Sequence, residues 1–466
     1  DLMFCYCSSL ETLKIEKFKT DEVKDMSYMF ALNRVLEKID LDQFNTKNVV
    51  NMAGMFQFCS YLTQIKIDNF DTSNVRNMSE LFADCSSLSS LDISKFDTRN
   101  VQSMSKMFMD CMALNSLDVS HLNTQKVEDA SMMFSGCSGI KYLDVSGFDT
   151  NKFTNTSKMF QYMISLTSLD VSKFILPQVK DISSMFESCV KVAKLEVQNF
   201  DTSQVTNMDS LFEDCNSITS LDVSKFKTSK VVNMGKMFIG LHKVEKIDLS
   251  SFDTSKVTDM SFMFQFCKSV KELDVSKFDT RQVIDMQFMF SGAAEIRSLN
   301  LKNFDTRNVV SMMMMFQGMS SLSSLDISNF DTSNVVDMYK MFDSCAHLKE
   351  LDLSKFNTKK TEDFGSMFQG CSSLSNLNIN SFDTSNVIDM FSMFDGCSSL
   401  TSLNLRHFNT HLVTDFSGMF QKCSSLSYLD ISSFDASNVR DVSSMFSDCR
   451  KLTSIDLSGF NPAESD

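Results

Sequence analysis

Apolar side chains recur along this chain at nine fixed places in every 26 residues. Counted from a phenylalanine taken as position 1, they fall at positions 1, 4, 7, 10, 12, 15, 20, 23 and 26. The position-1 phenylalanines run Phe4, Phe30, Phe56 and onward to Phe446, 18 in all, with no insertion or deletion between them. An unbroken period implies an array in which each unit packs on its neighbours, rather than the ~3 ordinary domains a chain of this length could hold. The expected organisation is a single solenoid over 1–460 that opens part-way through a repeat. A polar tail or linker is expected to follow over 461–466.

Two local patterns alternate inside the repeat. Positions 10 to 13, as in Leu221-Asp222-Val223-Ser224, alternate apolar and polar, which predicts a short strand. Identical strands one repeat apart stack in parallel, about 4.8 Å per rung. Positions 20, 23, 26/1 and 4 are spaced by three or four, which predicts a helical stripe. Position 22 is Asp, Asn or Ser throughout, from Asp25 to Asp441, and reads as the cap of that helix. Position 3 is Gly in six repeats, for example Gly136, Gly370 and Gly396, which suits a helix stop. A helix of about two turns forms only because its Met and Phe pack. The expected fold is therefore an α/β solenoid of 26-residue units resembling a leucine-rich repeat. Its array would curve, with short parallel strands on the concave side and short helices on the convex side.

Positions 7, 10, 12, 15 and 17 spell Leu-x-x-Leu-x-Val-x-x-Phe-x-Thr, the leucine-rich-repeat strand pattern with Phe in place of the usual Asn. A buried Phe ladder would then stand where the Asn hydrogen-bond ladder usually runs. The longer consensus is Met-Phe-x-x-Cys-Ser-Ser-Leu-x-x-Leu-Asp-Val-Ser-x-Phe-Asp-Thr-Ser-x-Val-x-Asp-Met-Ser. It resembles the 26-residue repeat of BspA-like bacterial surface proteins, over essentially the whole chain. That resemblance implies a secreted or surface-displayed protein, often one engaged in adhesion. It identifies no ligand residues, because the matching positions are core, turn and cap positions.

Charge and chemistry narrow the picture. The formal charge of −15 argues against a nucleic-acid partner and against an anionic membrane surface. No run of 18 apolar residues is present to span a bilayer. Thirteen of the 14 cysteines fall at position 4, where other repeats carry Asn33, Met163, Leu241, Ala293 and Met319. A place that takes Cys, Met, Leu or Ala is a small buried slot, and the thiols are expected reduced. Neither a metal-ligand cluster nor a phosphate loop nor a nucleophile with its base stands out. The chain is read as non-enzymatic, with no cofactor and no metal.

Three surface features remain. Position 11 is Asp in 12 of 18 repeats, among them Asp92, Asp118, Asp144, Asp170, Asp222, Asp248 and Asp274. These form either a hydrogen-bonded stripe supported by position-13 hydroxyls of nearby rungs, a ligand-facing acidic stripe, or oxygen donors for calcium. The Asp-Thr pair at positions 16 and 17 is expected to close turns. The sequence Ile175-Leu176-Pro177 alters that turn most. Lastly, positions 24, 25 and 3 are usually polar, yet they become Phe262, Phe266, Phe288, Met313, Met314 and Tyr339 in neighbouring repeats, with Phe391 further on. Such a patch is either extra core or a docking surface for another chain. Two functions follow. One is a surface-displayed binding or adhesion scaffold for a protein or glycan. The other is a structural subunit of an extracellular layer, appendage or filament.

Overall fold

The computed structural model describes residues 2–15, 18–457 and 460–461, so the expected tail lies, beyond Asn461, outside the described residues. The chain divides into two compact units, Asp1–Lys230 and Val231–Asp466. Both are stacks of 26-residue rungs, and each is described by itself.

In the first unit the position-1 rings form a stack from Phe4 to Phe212. Neighbouring centroids lie 5.4–6.0 Å apart with planes 2–9° from parallel. In the second unit the stack from Phe238 to Phe446 has centroids 5.6–5.9 Å apart. Both stacks are buried along most of their length, together with the Met, Val and Leu of each rung. The apolar period therefore marks the core, as the pattern predicts.

The strands are shorter than expected and displaced by one residue. They are β1 (Lys38–Asp40), β2 (Gln64–Lys66), β3 (Glu350–Asp352), β4 (Asn376–Asn378), β5 (Tyr428–Asp430) and β6 (Ser454–Asp456). They pair in parallel as β1–β2, β3–β4 and β5–β6, each residue with the one 26 further on. These spans are positions 9 to 11. Where position 11 is Asp, its carboxylate accepts the N–H of position 13, which removes that donor from the ladder. Ser120 N–H to Asp118 at 3.0 Å is one instance. β2 and β4 stop at the same place on Lys66 and Asn378.

The expected convex helices are absent: among the described residues there is no α-helix. The stripe from position 23 to position 7 is a chain of tight turns. In one rung, Met289 N–H bonds to Met286 C=O, Ser291 N–H to Phe288 C=O, and Ala293 N–H to Phe290 C=O. Those are i→i+3 contacts. The remaining donors leave the rung. Phe288 N–H reaches Met313 C=O, Phe290 N–H reaches Met315 C=O, and Gly292 N–H reaches Gln317 C=O in the next repeat. Positions 25 and 3 both take left-handed φ, for example Lys236 (58°), Ser366 (54°), Gly54 (58°), Gly136 (73°) and Gly370 (70°). Two left-handed residues four apart cannot belong to one α-helix. Position 22 does cap, but it caps a turn. Asp285 accepts Gln287 N–H at 2.9 Å, and its backbone bridges in parallel to Ser311.

Three polar ladders accompany the Phe stack. Position-17 threonines are buried, and in most rungs the hydroxyl donates to the position-16 carbonyl of the next rung while accepting that residue's N–H; Thr280 with Asp305 is typical, at 2.9 and 2.7 Å. Position-19 side chains such as Asn308 donate to the preceding rung, here to Arg281 C=O at 2.8 Å. Position-4 thiols donate to the position-1 carbonyl of the preceding rung, as Cys371 does to Phe342 at 3.1 Å. Asn33 takes the same place with an amide, donating to Phe4 and Phe30 carbonyls. The slot therefore favours a small side chain with a weak donor.

All 14 cysteines are free thiols; eleven are buried, while Cys5, Cys7 and Cys449 are not. Burial pushes Cys59, Cys137, Cys189, Cys267 and Cys371 up to about 12. A thiolate is the reactive form. Native protein at pH 8 should therefore react with a thiol reagent at Cys5 and Cys7, more slowly at half-buried Cys449, whose thiol burial also pushes up, and at the rest only after denaturation. Fast labelling of the eleven buried thiols in folded protein would contradict this packing.

Candidate docking surface

Positions 24, 25 and 3 project from the turn stripe because the backbone reverses there. Most repeats place Ser, Gly, Lys or Asp at the two left-handed positions. In the second unit, position 25 instead holds Phe262 (φ 59°), Phe288 (56°) and Met314 (53°). A bulky non-Gly residue in this region carries a backbone cost of order 1 kcal/mol. Phe262 and Phe288 stack face to face with centroids 4.5 Å apart, closer than any neighbours in the position-1 stack of this unit. Both rings remain half-buried, as do Met313 and Met314.

Phe266 is separate from that stack. It lies over Gly292, which has no Cβ to occupy the same space, and it is 42% exposed, with Lys268 Nζ 5.9 Å from its ring. Tyr339 and Phe391 lean toward one another across Gly365, centroids 6.0 Å apart, and Lys340 Nζ sits 5.1 Å from the Tyr339 ring. The six residues singled out in the sequence thus share one stripe, but as a ring stack, a thioether pair and two separate aromatics.

A second column was not singled out. At position 21, Ile284 (55% exposed) and Val310 (51%) are joined by half-buried Val336, with exposed Val232 and Ile388 beyond. Backbone bonds link the column, Val310 N–H to Ile284 C=O and Val336 N–H to Val310 C=O. The signal was available: in the first unit the same position reads Lys24, Val50, Arg76, Gln102, Glu128, Thr154, Lys180 and Thr206, polar at all but one.

The acidic stripe is placed differently from its expected support. Asp92, Asp118, Asp144, Asp170, Asp222, Asp248 and Asp274 each accept the position-13 N–H of their own repeat at 2.9–3.0 Å. The hydroxyls of Ser120, Ser172 and Ser224 add to this within the same repeat. Hydrogen bonds from Ser120 hold Asp118 below the usual carboxylate range, and Ser172 does so for Asp170. One oxygen of each is therefore committed to its turn. Among the described residues no group of three or more His, Cys, Asp or Glu is gathered closely enough to hold a metal ion.

At position 22, burial shifts Asp285, Asp363 and Asp389 the other way, upward. Asp337, Asp363, Asp389 and Asp415 follow one another rung by rung as parallel bridge partners. Asp363 is half-buried, and desolvation, with further repulsion from Asp389 and Asp337, pushes it up to about 6 despite the N–H it accepts from Gly365. A folded value above the unfolded one gives stability that is present below about pH 4 and lost as pH rises through about 6. Asp363→Asn keeps an acceptor for Gly365 and matches Asn51, Asn77 and Asn233 at this position. It should raise the thermal midpoint by a few degrees at pH 7.5 and leave it unchanged near pH 4. An unaltered midpoint at pH 7.5 would show that the stacked carboxylates are already relieved.

Among solved structures, the chain is similar to a leucine-rich repeat protein from Bacteroides ovatus: 18% identical, 79% of this chain and 82% of that one covered, TM-score 0.37. A leucine-rich cell surface protein from Faecalibacterium prausnitzii is 15% identical, with 93% and 83% covered and a TM-score of 0.26. A leucine-rich repeat protein from Eubacterium ventriosum is 13% identical, with 85% and 84% covered and a TM-score of 0.30. Comparison with curated proteins gives no match. A family model described as "Mycoplasma protein of unknown function, DUF285" matches residues 1–89, 58–174, 116–218, 180–299, 294–403 and 366–465. The kinship with BspA-like leucine-rich repeats read from the sequence holds along these segments. Because they overlap to cover nearly every residue, the chain belongs to the DUF285 family.

Proposed function

We propose that this chain is a non-enzymatic protein-binding scaffold, displayed at a cell surface or secreted, and that it engages its partner through the turn stripe of the second unit. One observation carries the reading. Phe262, Phe288 and Met314 occupy, in three successive rungs, a left-handed position that most other repeats fill with Ser, Gly or Lys, and they remain half-exposed. Strain and exposure together have no benefit within the rung, whose core is already filled by the Phe and Met ladders. Against a partner, the same side chains with Ile284 and Val310 supply an apolar centre, at about 25 cal/mol per Å² covered. Adhesion is the finer form of this proposal.

Replacing Phe262, Phe288 and Met314 together by Ser tests it. Ser already stands at position 25 as Ser184, Ser210, Ser366 and Ser392, so the fold should be kept. The expected result is unchanged thermal unfolding, with loss of a partner that the unaltered chain retains in crosslinking and co-purification. If the partner is retained, the stripe is not the binding surface. If the variant instead abolishes association of the chain with itself, the structural-subunit reading replaces this one.

A further inference from the structure

The position-25 column of the second unit has a charge pattern that points to the kind of segment it takes. In successive rungs it reads Lys236, Phe262, Phe288, Met314, Lys340, all with left-handed φ between 53° and 59°. Three large apolar groups are bracketed by two cations. Of the two position-25 lysines in the first unit, Lys106 is paired with Glu80 of the rung before, at 2.9 Å, whereas Lys158 has no carboxylate of its unit within ion-pair distance among the described residues. Among the described residues of the second unit neither Lys236 nor Lys340 has a carboxylate within ion-pair distance, and Lys340 lies over the Tyr339 ring instead. Their half-buried stems put the ammonium groups at the two ends of the apolar column.

Resting on the docking role proposed above, we infer that the partner contributes an extended polypeptide segment, apolar in its middle and carrying a carboxylate at each end, which lies along this column. Length supports this. Rings two residues away at position 1 are 5.6–5.9 Å apart per rung. Four rungs therefore set Lys236 and Lys340 roughly 23 Å apart, and at ~3.3–3.6 Å per residue an extended chain covers that in about seven residues. The same rungs carry the position-21 column, with Ile284 and Val310 exposed and Val336 half-buried. A bilayer surface would meet the same lysines and rings, but the chain's charge of −15 opposes approach to anionic lipid, and a single straight column suits a strand better than a plane.

The test uses the full chain and fluorescent synthetic peptides with one apolar middle of five residues, flanked at both ends by Glu, Gln or Lys, read by anisotropy at low salt. Glu-flanked peptide should bind about 10-fold more tightly than Lys-flanked peptide, and the gap should close as salt is raised. The double variant Lys236→Glu/Lys340→Glu should reverse the order, with its thermal unfolding unchanged. Equal affinity for all three peptides, lost in the Phe262/Phe288/Met314 serine variant, would keep the docking surface and overturn the charge assignment. Absence of binding by any peptide overturns the inference; a partner still retained by the serine variant would overturn the docking role itself. Preferential binding to phosphatidylserine vesicles over every peptide would also overturn it, in favour of a membrane surface.

Discussion

Phe290→Ala should destabilise the second unit by about 3–5 kcal/mol, the range for removing a large buried aromatic. Phe290 is fully buried, and its ring lies 5.8 Å from that of Phe264 and 5.9 Å from that of Phe316, nearly parallel to both. Alanine therefore opens a void in the middle of a column rather than at an edge. The neighbouring rings cannot close it, because the backbone of each is tied to the next rung: Phe264 N–H to Met289 C=O, Phe316 N–H to Met341 C=O. Collapse would require rungs to shift against a ladder that repeats every 26 residues. The loss should appear as a lower urea midpoint and as protease cleavage within the rungs around residue 290. Phe290→Leu, which refills part of the void, should recover a good part of it. Unchanged unfolding and protease resistance in Phe290→Ala would mean that the stack is not what holds the rungs together.

How far the sequence discloses this structure depends on which forces leave a periodic mark. The Phe, Met, Val and Leu positions do, because each rung must bury the same face against the next; the repeat boundaries and the core followed directly from them. The turn stripe did not. Residues three apart, such as Met286, Met289 and the Phe290–Ala293 pair, lie on one face of an α-helix, but consecutive i→i+3 turns give the same spacing. Glycine held the distinguishing signal. Gly54 and Gly418 stand at position 25, and Gly136, Gly240 and Gly370 at position 3, on both sides of a Met-Phe pair that would form the helix middle. One glycine position suits a helix end, whereas two of them four residues apart require a chain that turns twice. The candidate surface was half legible for a similar reason. Phe262 and Phe288 stand out against polar neighbours, while Ile284 and Val310 look like ordinary strand residues until their exposure is known.

Thr280→Val should cost about 2–3 kcal/mol, although it alters neither shape nor volume appreciably. The Thr280 side chain is fully buried, donates to Asp305 C=O at 2.9 Å and accepts Asp305 N–H at 2.7 Å. Valine keeps the packing and removes both bonds, leaving a backbone donor and a backbone acceptor without a partner in a half-buried place. The penalty for such unpaired groups, about 1–3 kcal/mol each when buried, exceeds the small gain from burying one more methyl. The chain contains its own evidence on whether the backbone can compensate. At Leu176 the hydroxyl is missing, and Asp201 N–H bonds to Ile175 C=O at 2.7 Å instead. That repair accompanies a left-handed Leu176, φ 52°, immediately before Pro177, a conformation no other position-17 residue adopts among those described. A lone valine at 280, followed by Arg281, has no proline to favour the same detour. Thr280→Ser, which keeps the hydroxyl and loses a methyl, should lose clearly less than Thr280→Val in the same urea titration. If valine were tolerated as well as serine, the threonine ladder would be a packing feature, and the rungs would owe their register to the aromatic stack and the backbone bonds alone.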